Sequence, residues 1–201
     1  MAKMESILFI NACVRKDRSR TLELAKHLLS HLTGEKTGTI TGKVKELELD
    51  KMELYPLHEE TMEKREKLTA AGNYDDPMFD LAKEFAAADV IVAAAPYWEH
   101  TFPALLRIYF EQVSVVGLTE GFMEDGTPKA LCKAKKCYYV STAGGPFDEP
   151  DGGADLVRNM MGNMFHIPET IVFQAGNLDI EGNDVDKILA ETKGEIDKRF
   201  A

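Results

Sequence analysis

Ser6 to Asn11 is a short continuous apolar run, with Ile7, Leu8, Phe9 and Ile10 in succession, as in a strand buried on both faces. From Thr21 to Leu32 the period changes. Leu22, Leu24, Ala25, Leu28 and Leu29 recur at helical spacing, and Gly34 is a stop signal. Lys43 to Leu49 alternates Val44, Leu47 and Leu49 with charges and reads as a second, more ragged strand, and the charged Glu59 to Thr69 reads as a surface helix. Asp76 as cap and Pro77 in the first turn open a helix with Met78, Leu81, Ala82 and Phe85 on one face, ending near Ala88. Asp89 to Ala95 is the most apolar stretch of the chain, too short for a helix and closed by Pro96, hence a central parallel strand. Phe102 to Val116 reads as a helix that Pro103 begins, with Leu105, Leu106, Tyr109, Phe110 and Val113 on one face. The remainder alternates Lys136–Ser141 (strand), Ala154–Phe165 (helix), Thr170–Gln174 (strand) and Asn183–Phe200 (helix).

Strands alternating with helices predict an α/β fold with a five-stranded parallel sheet and helices on both faces, because right-handed crossovers join neighbouring parallel strands. The expected order is 2-1-3-4-5. A ligand then sits outside the carboxyl ends of the strands where the order reverses, at the loops after strands one and three. Residues 1–201 suit a single domain. Residues 117–133 break the rhythm, and the Asp125-Gly126 pair marks a tight turn in a hairpin-like excursion expected over the top of the domain.

Composition narrows the function. With 24 basic against 34 acidic residues the net charge is −10, which repels a polyanion, so nucleic acid is not an expected partner. Met1 to Glu5 lacks a secretory pattern and no apolar run approaches a membrane span, so the expectation is a cytoplasmic protein without membrane attachment. Cys13, Cys132 and Cys137 are an odd set without CxxC spacing or neighbouring ligands; free thiols and no metal are expected.

The chemistry concentrates in three loops. After strand one, four of the six residues from Arg15 to Arg20 are basic, and Ser19, Arg20 and Thr21 lead straight into a helix N-terminus, a natural anion site. The plainer alternative is that Ser19 and Thr21 only cap the helix while the arginines are solvated. The loop lacks glycine, so GxGxxG binding of a dinucleotide is disfavoured and a terminal monophosphate fits better; GxxxxGK[ST] is also absent. After strand three, Pro96-Tyr97-Trp98-Glu99-His100 gathers three ring side chains able to flank a planar heterocycle, although Trp98 alone could be a packing residue. After strand four, Thr142-Ala143-Gly144-Gly145-Pro146 lets backbone N–H groups approach a ligand edge, or is simply a turn.

Together these residues resemble the flavodoxin-like NAD(P)H:quinone reductases and FMN-dependent NADH-azoreductases. The Ser-x-Ser/Thr phosphate loop corresponds to Ser19-Arg20-Thr21, the aromatic loop after a proline to Pro96 through His100, and the helix end to Tyr109-Phe110-Glu111. Gly117 to Phe122, followed by Gly126-Thr127-Pro128, and the Gly144-Gly145 pair complete the resemblance. It implies a flavodoxin-like three-layer sandwich binding FMN tightly, with NAD(P)H as donor and a quinone, azo or nitro compound as acceptor in a ping-pong hydride transfer. It also implies a cofactor set of Cys13, Arg18, Ser19, Arg20, Thr21, Pro96, Tyr97, Trp98, Glu99, His100, Thr142, Ala143, Gly144 and Gly145. Of these, Ser19, Arg20 and Thr21 would hold the phosphate, Tyr97 to His100 would line the ring and ribityl chain, and Thr142, Gly144 and Gly145 would meet the pyrimidine edge. Apart from the resemblance, His100 is the one side chain expected to act on the acceptor, positioning it by donating a hydrogen bond or proton. The family is commonly homodimeric, with Phe122 and Phe165 covering a flavin of the same or the neighbouring subunit. This chain departs from the family's usual Asn at Glu99, aromatic ring at His100 and Ser at Cys13, which bears on flavin potential and acceptor choice.

The main rival is a flavodoxin-like FMN carrier docking to redox proteins through its acidic surface. A receiver-type signalling domain is rejected, since Asn11-Ala12 and Ala95-Pro96 stand where it needs acidic residues, and neither HExxH nor GxSxG occurs. His166 reads as a core or interface histidine, and Met160, Met161, Met164 and Phe165 as an apolar contact surface.

Overall fold

The computed structural model describes residues 5–35 and 44–201. Met1 to Met4 and Lys43, used in the sequence reading, lie outside the described residues. Five parallel strands, β1 (Ile7–Asn11), β2 (Val44–Glu48), β3 (Val90–Ala94), β4 (Lys136–Thr142) and β5 (Glu169–Ala175), form one sheet in the order β2-β1-β3-β4-β5. The expected order is therefore observed. β1 and β3 are buried at every position, as their unbroken apolar runs require, whereas edge strand β2 buries only Val44 and Leu47.

Among the described residues six α-helices flank the sheet: α1 (Arg20–Thr33), α2 (Glu59–Ala70), α3 (Asp80–Ala87), α4 (Ala104–Val113), α5 (Ala154–Asn159) and α6 (Val185–Phe200). α1 and α6 pack Leu24, Leu28, Leu189 and Ile196 onto Phe9, Val92 and Val140 of one sheet face. α3, α4 and α5 pack Phe85, Leu106, Tyr109, Phe110 and Val157 onto Ile10, Ile91 and Tyr139 of the other. Each side chain of that core, removed from water, contributes about 1.5–3 kcal/mol.

Several boundaries differ from expectation for local reasons. Asp76 does cap, but it caps a 3-10 turn, Pro77–Phe79, that leads into α3. Pro103 is the N-cap of α4, not its first helical residue. The helix from Ala154 gives way at Met160–Met164 to a π turn, closed by Phe165 N–H donating to Met160 at 3.0 Å. That turn drives Met160, Met161 and Phe165 inward, where Phe165 meets Phe85 with ring centroids 4.7 Å apart. These residues are core, which corrects their reading as a contact surface and removes Phe165 as a flavin cover. His166 ends the turn half-buried at φ +53°. Residues 117–133 make a hairpin in which Phe122 bridges Pro128, and Lys133 N–H donates to Ala86 at the end of α3. The excursion thus lies by the amino ends of the strands, opposite the edge where the loops after β1, β3 and β4 converge.

Candidate functional site

At the carboxyl edge, Ala12 N–H donates to the Ala94 carbonyl at 2.9 Å and so carries the chain across from β1 to β3. Asn11 fixes the start of the loop: its Oδ1 accepts from Cys13 N–H at 2.9 Å and its Nδ2 donates to Glu46 Oε1 at 2.7 Å. A 3-10 turn, Lys16–Arg18, then delivers Ser19 as N-cap of α1, its Oγ accepting from Leu22 N–H at 3.2 Å. Ser19 and Arg20, at the N-terminus of α1 where the first N–H groups lack helical partners, line an open cleft of about 290 Å³. Arg15 and Arg18 line it and make no ion pair among the described residues.

Arg20 behaves differently. Its Nη1 donates to Asp179 Oδ1 at 2.8 Å and to the Leu178 carbonyl at 3.2 Å, so the loop after β5 already engages it. Thr21 is buried beneath the floor, its hydroxyl 2.6 Å from that of Thr142. The two hydroxyls tie α1 to the end of β4.

The second wall is Pro96, Tyr97 and Trp98. Trp98 and Thr101 exchange backbone hydrogen bonds of 2.7 and 3.0 Å around Glu99 and His100, whose φ values of +50° and +62° are those of a type I′ turn. Trp98 is 38% exposed and faces the cleft, while the turn carries Glu99 and His100 off its lining. Asp148 clasps the turn, accepting from Tyr97 Oη at 2.7 Å and sitting 2.6 Å from His100 Nδ1. Donation from Tyr97 and His100 holds the Asp148 carboxyl below its ordinary range, and the same contact raises His100. Burial, reinforced by Asp148, pushes the Tyr97 phenol up to about 12.

The third wall is Thr142, Ala143 and Gly144. Gly144 and Gly145 accept at their carbonyls from Asp179 and Asn177 N–H, while their own N–H groups make no hydrogen bond among the described residues. A Cβ at Gly144 would lie 2.5 Å from Asp179 Oδ2, so this glycine admits the Asp179 side chain. Cys13 lines the cleft as a neutral thiol, pushed up to about 12 chiefly by burial.

Of the residues expected from sequence, Cys13, Arg18, Ser19, Arg20, Pro96, Tyr97, Trp98, Thr142, Ala143 and Gly144 line one cleft. Thr21, Glu99, His100 and Gly145 do not. Val14, Arg15, Leu178 and Asp179 line the cleft but were outside the expected set: Arg15 was read only as part of the basic run, while Val14 and an ordinary loop after the fifth strand carry no motif or periodicity. Beside the cleft, sharing Val14 and Trp98 with it, runs an apolar groove of about 810 Å³ along α4, lined by Phe102, Leu105, Ile108 and Leu156.

A parallel sheet in this order, with a helix N-terminus and an aromatic wall meeting at its switch point, defines a doubly wound α/β domain with a cleft at the carboxyl edge of its strands. More narrowly, the chain belongs to the Flavodoxin-like fold family, whose model matches residues 5–200. It is 27% identical over 201 residues to an FMN-dependent NADH:quinone oxidoreductase of Coprothermobacter proteolyticus, covering 97% of this chain and 98% of that one. It is 29% identical over 195 residues to FMN-dependent NADH:quinone oxidoreductase 2 of Clostridium acetobutylicum, covering 94% of each. Among solved structures, the azoreductase of Bacillus anthracis str. Sterne superposes with a TM-score of 0.79 at 21% identity, covering 98% of this chain and 99% of that one.

Proposed function

We propose that this chain is an FMN-dependent NAD(P)H oxidoreductase that reduces quinones, azo compounds or similar small acceptors. The carrying observation is the donor set at the start of α1, Ser19 with unpaired Arg15 and Arg18, facing an aromatic wall across the switch point. That set fits a phosphate monoester, and the unpaired N–H group of Gly144 fits the polar edge of a flat heterocycle. In this reading Ser19, Arg15, Arg18 and the α1 N-terminus hold the phosphate, Pro96 to Trp98 flank the ring, and Arg20 orders the Leu178–Asp179 loop. FMN held there would supply the redox chemistry between the reduced nicotinamide and the acceptor. The chain's own groups bind, orient and exclude water; the apolar groove beside Trp98 offers an aromatic donor or acceptor a surface. His100, 84% exposed on its side chain, acts through the Asp148 clasp to position Trp98.

The proposal extends to a homodimer in which a second copy covers the α4 groove, with Phe122, exposed at the far edge, serving the neighbouring subunit. It also includes a cytoplasmic location; among the described residues no helix is long and apolar enough to cross a membrane. Anaerobic stopped-flow absorbance tests the activity. FMN-loaded protein is mixed with NADH or NADPH, then with menadione or an azo dye; bleaching and acceptor-driven recovery are expected. Flavin that neither nucleotide bleaches would instead establish the carrier, and failure to bind flavin refutes both. Light scattering after gel filtration tests the dimer.

A further inference from the structure

On the sheet face away from the α4 groove, α1 and α6 run side by side in the same direction, with Glu23 paired to Lys193 and, one turn on, His27 beside Asp197. His27 and His31 are one helical turn apart and so share a face of α1. Their Nε2 atoms both converge on Oδ1 of Asp197, at 2.6 and 2.7 Å. His31 stacks on Phe200 with ring centroids 5.2 Å apart and 12° between planes, and His27 meets His31 edge-on at 5.1 Å. The rings are therefore held in place, yet the side chains remain 20%, 29% and 54% exposed for His27, His31 and Asp197.

We propose that His27, His31 and Asp197 form a surface site for a divalent cation of the zinc type, separate from the cleft. The three ligand atoms lie within 4.8 Å of one another, and no other such cluster occurs among the described residues. In the tautomer with hydrogen on Nδ1, each imidazole turns a lone pair toward the point that the carboxylate oxygen already faces. Tetrahedral Zn²⁺, with bonds of about 2.0–2.2 Å, needs ligand atoms about 3.3 Å apart. Each nitrogen–oxygen separation must therefore open by about 0.6–0.7 Å, which rotation of the half-exposed Asp197 side chain provides. Water completes the coordination. Two imidazoles with one carboxylate suit zinc, nickel or copper and not Mg²⁺ or Ca²⁺, which take all-oxygen shells. Spacing alone pointed to no metal, because Asp197 stands 166 positions beyond His31. Such an ion would staple the C-terminal helix to α1.

The test uses tag-free full-length protein, stripped with EDTA, equilibrated with Zn²⁺ at neutral pH and assayed by plasma mass spectrometry and thermal melting. One Zn²⁺ per chain is expected, with a rise in Tm of roughly 5–10 °C at a hundredfold excess over Kd. Mg²⁺ should produce no rise. H27Q, H31Q and D197N should each weaken retention at least tenfold and erase the shift. In the unsubstituted protein, Zn²⁺ should perturb the imidazole NMR signals of His27 and His31 and spare those of His58, His100 and His166. Zn²⁺ retained equally by H31Q, or perturbing other histidines instead, would overturn the site, as would absence of any Zn²⁺-dependent shift.

Discussion

Gly152→Ala is the substitution whose outcome the geometry constrains most tightly. A Cβ on Gly152 would lie 2.2 Å from the backbone carbonyl oxygen of His100, while a relaxed carbon–oxygen contact needs about 3.2 Å, so something must move by about 1 Å. No flexible side-chain end absorbs this, because the obstacle is the type I′ turn itself. That turn is also bonded to the loop through Thr101 Oγ1, which donates to the Gly152 carbonyl at 2.9 Å. Overpacking of this kind costs about 1–3 kcal/mol, a fall in Tm of roughly 2–12 °C for a chain of this size. The displacement passes into Trp98 at the base of the turn, and a 1 Å misplacement at a binding wall is worth about a hundredfold at most. FMN affinity, followed by quenching of flavin fluorescence, and the anaerobic rate of reduction by NADH should fall by ten- to a hundredfold. Gly162→Ala is the control, since a Cβ there meets nothing within 4 Å. If Gly152→Ala melts within 1 °C of the parent (about 0.3 kcal/mol) and binds FMN equally, the coupling of the 148–152 loop to the aromatic wall is wrong.

Four further outcomes follow from the cleft. Ser19→Ala removes the α1 cap, costing about 1 kcal/mol in denaturant melts, and should weaken FMN far more than riboflavin, which lacks the phosphate; equal losses would exclude Ser19 from phosphate binding. Asp179→Asn removes a carboxylate from the cleft and loosens its hold on Arg20, so FMN should bind several-fold tighter by the same titration, and unchanged affinity would mean that the latch does not oppose the phosphate. All three thiols are pushed up to about 12 mainly by burial, which leaves about one in ten thousand ionised at pH 8. Ellman's reagent should therefore label none quickly until the chain is unfolded, and rapid labelling of folded protein contradicts this. His100 is raised by Asp148, so its support of the turn is complete below its ordinary value of 6.5 and fades as pH rises through the higher folded value. Asp148 is lowered, so its part is present above 3.8 and fades as pH falls through the lower folded value. The clasp is thus strongest between those ordinary values, and D148N should lower the His100 titration midpoint seen by NMR; an unmoved midpoint breaks the assignment.

The sheet was legible because its strands announce themselves. Ile7–Ile10 and Val90–Ala94 are unbroken apolar runs that only a doubly covered parallel strand explains, and alternation with helices leaves few topologies. The cleft was legible as far as it follows from strand order, since Ser19, Trp98 and Ala143 all lie in the loops that follow β1, β3 and β4. Side-chain direction was not. Thr21 reads like Ser19 in sequence, yet it lies one residue into α1 and points down into the core to meet Thr142. Glu99 and His100 follow Trp98 directly, but a left-handed turn of two non-glycine residues turns them outward. Phe165 sits inside because a π turn shifts the helical phase, which no helical period reveals. Arg20 was read as a phosphate donor because its partner, Asp179, is 159 positions away.

Those distant ties also bear on when the cleft can exist. The Thr21–Thr142 and Arg20–Asp179 contacts join segments 121 and 159 positions apart, so the basic loop made earliest in synthesis is held in place by a strand and loop made nearly last. No fragment that stops short of Asp179 contains the whole cleft. A ligand seated there lends its binding free energy only to chains whose fifth strand has docked, so occupancy discriminates finished molecules from partly folded ones.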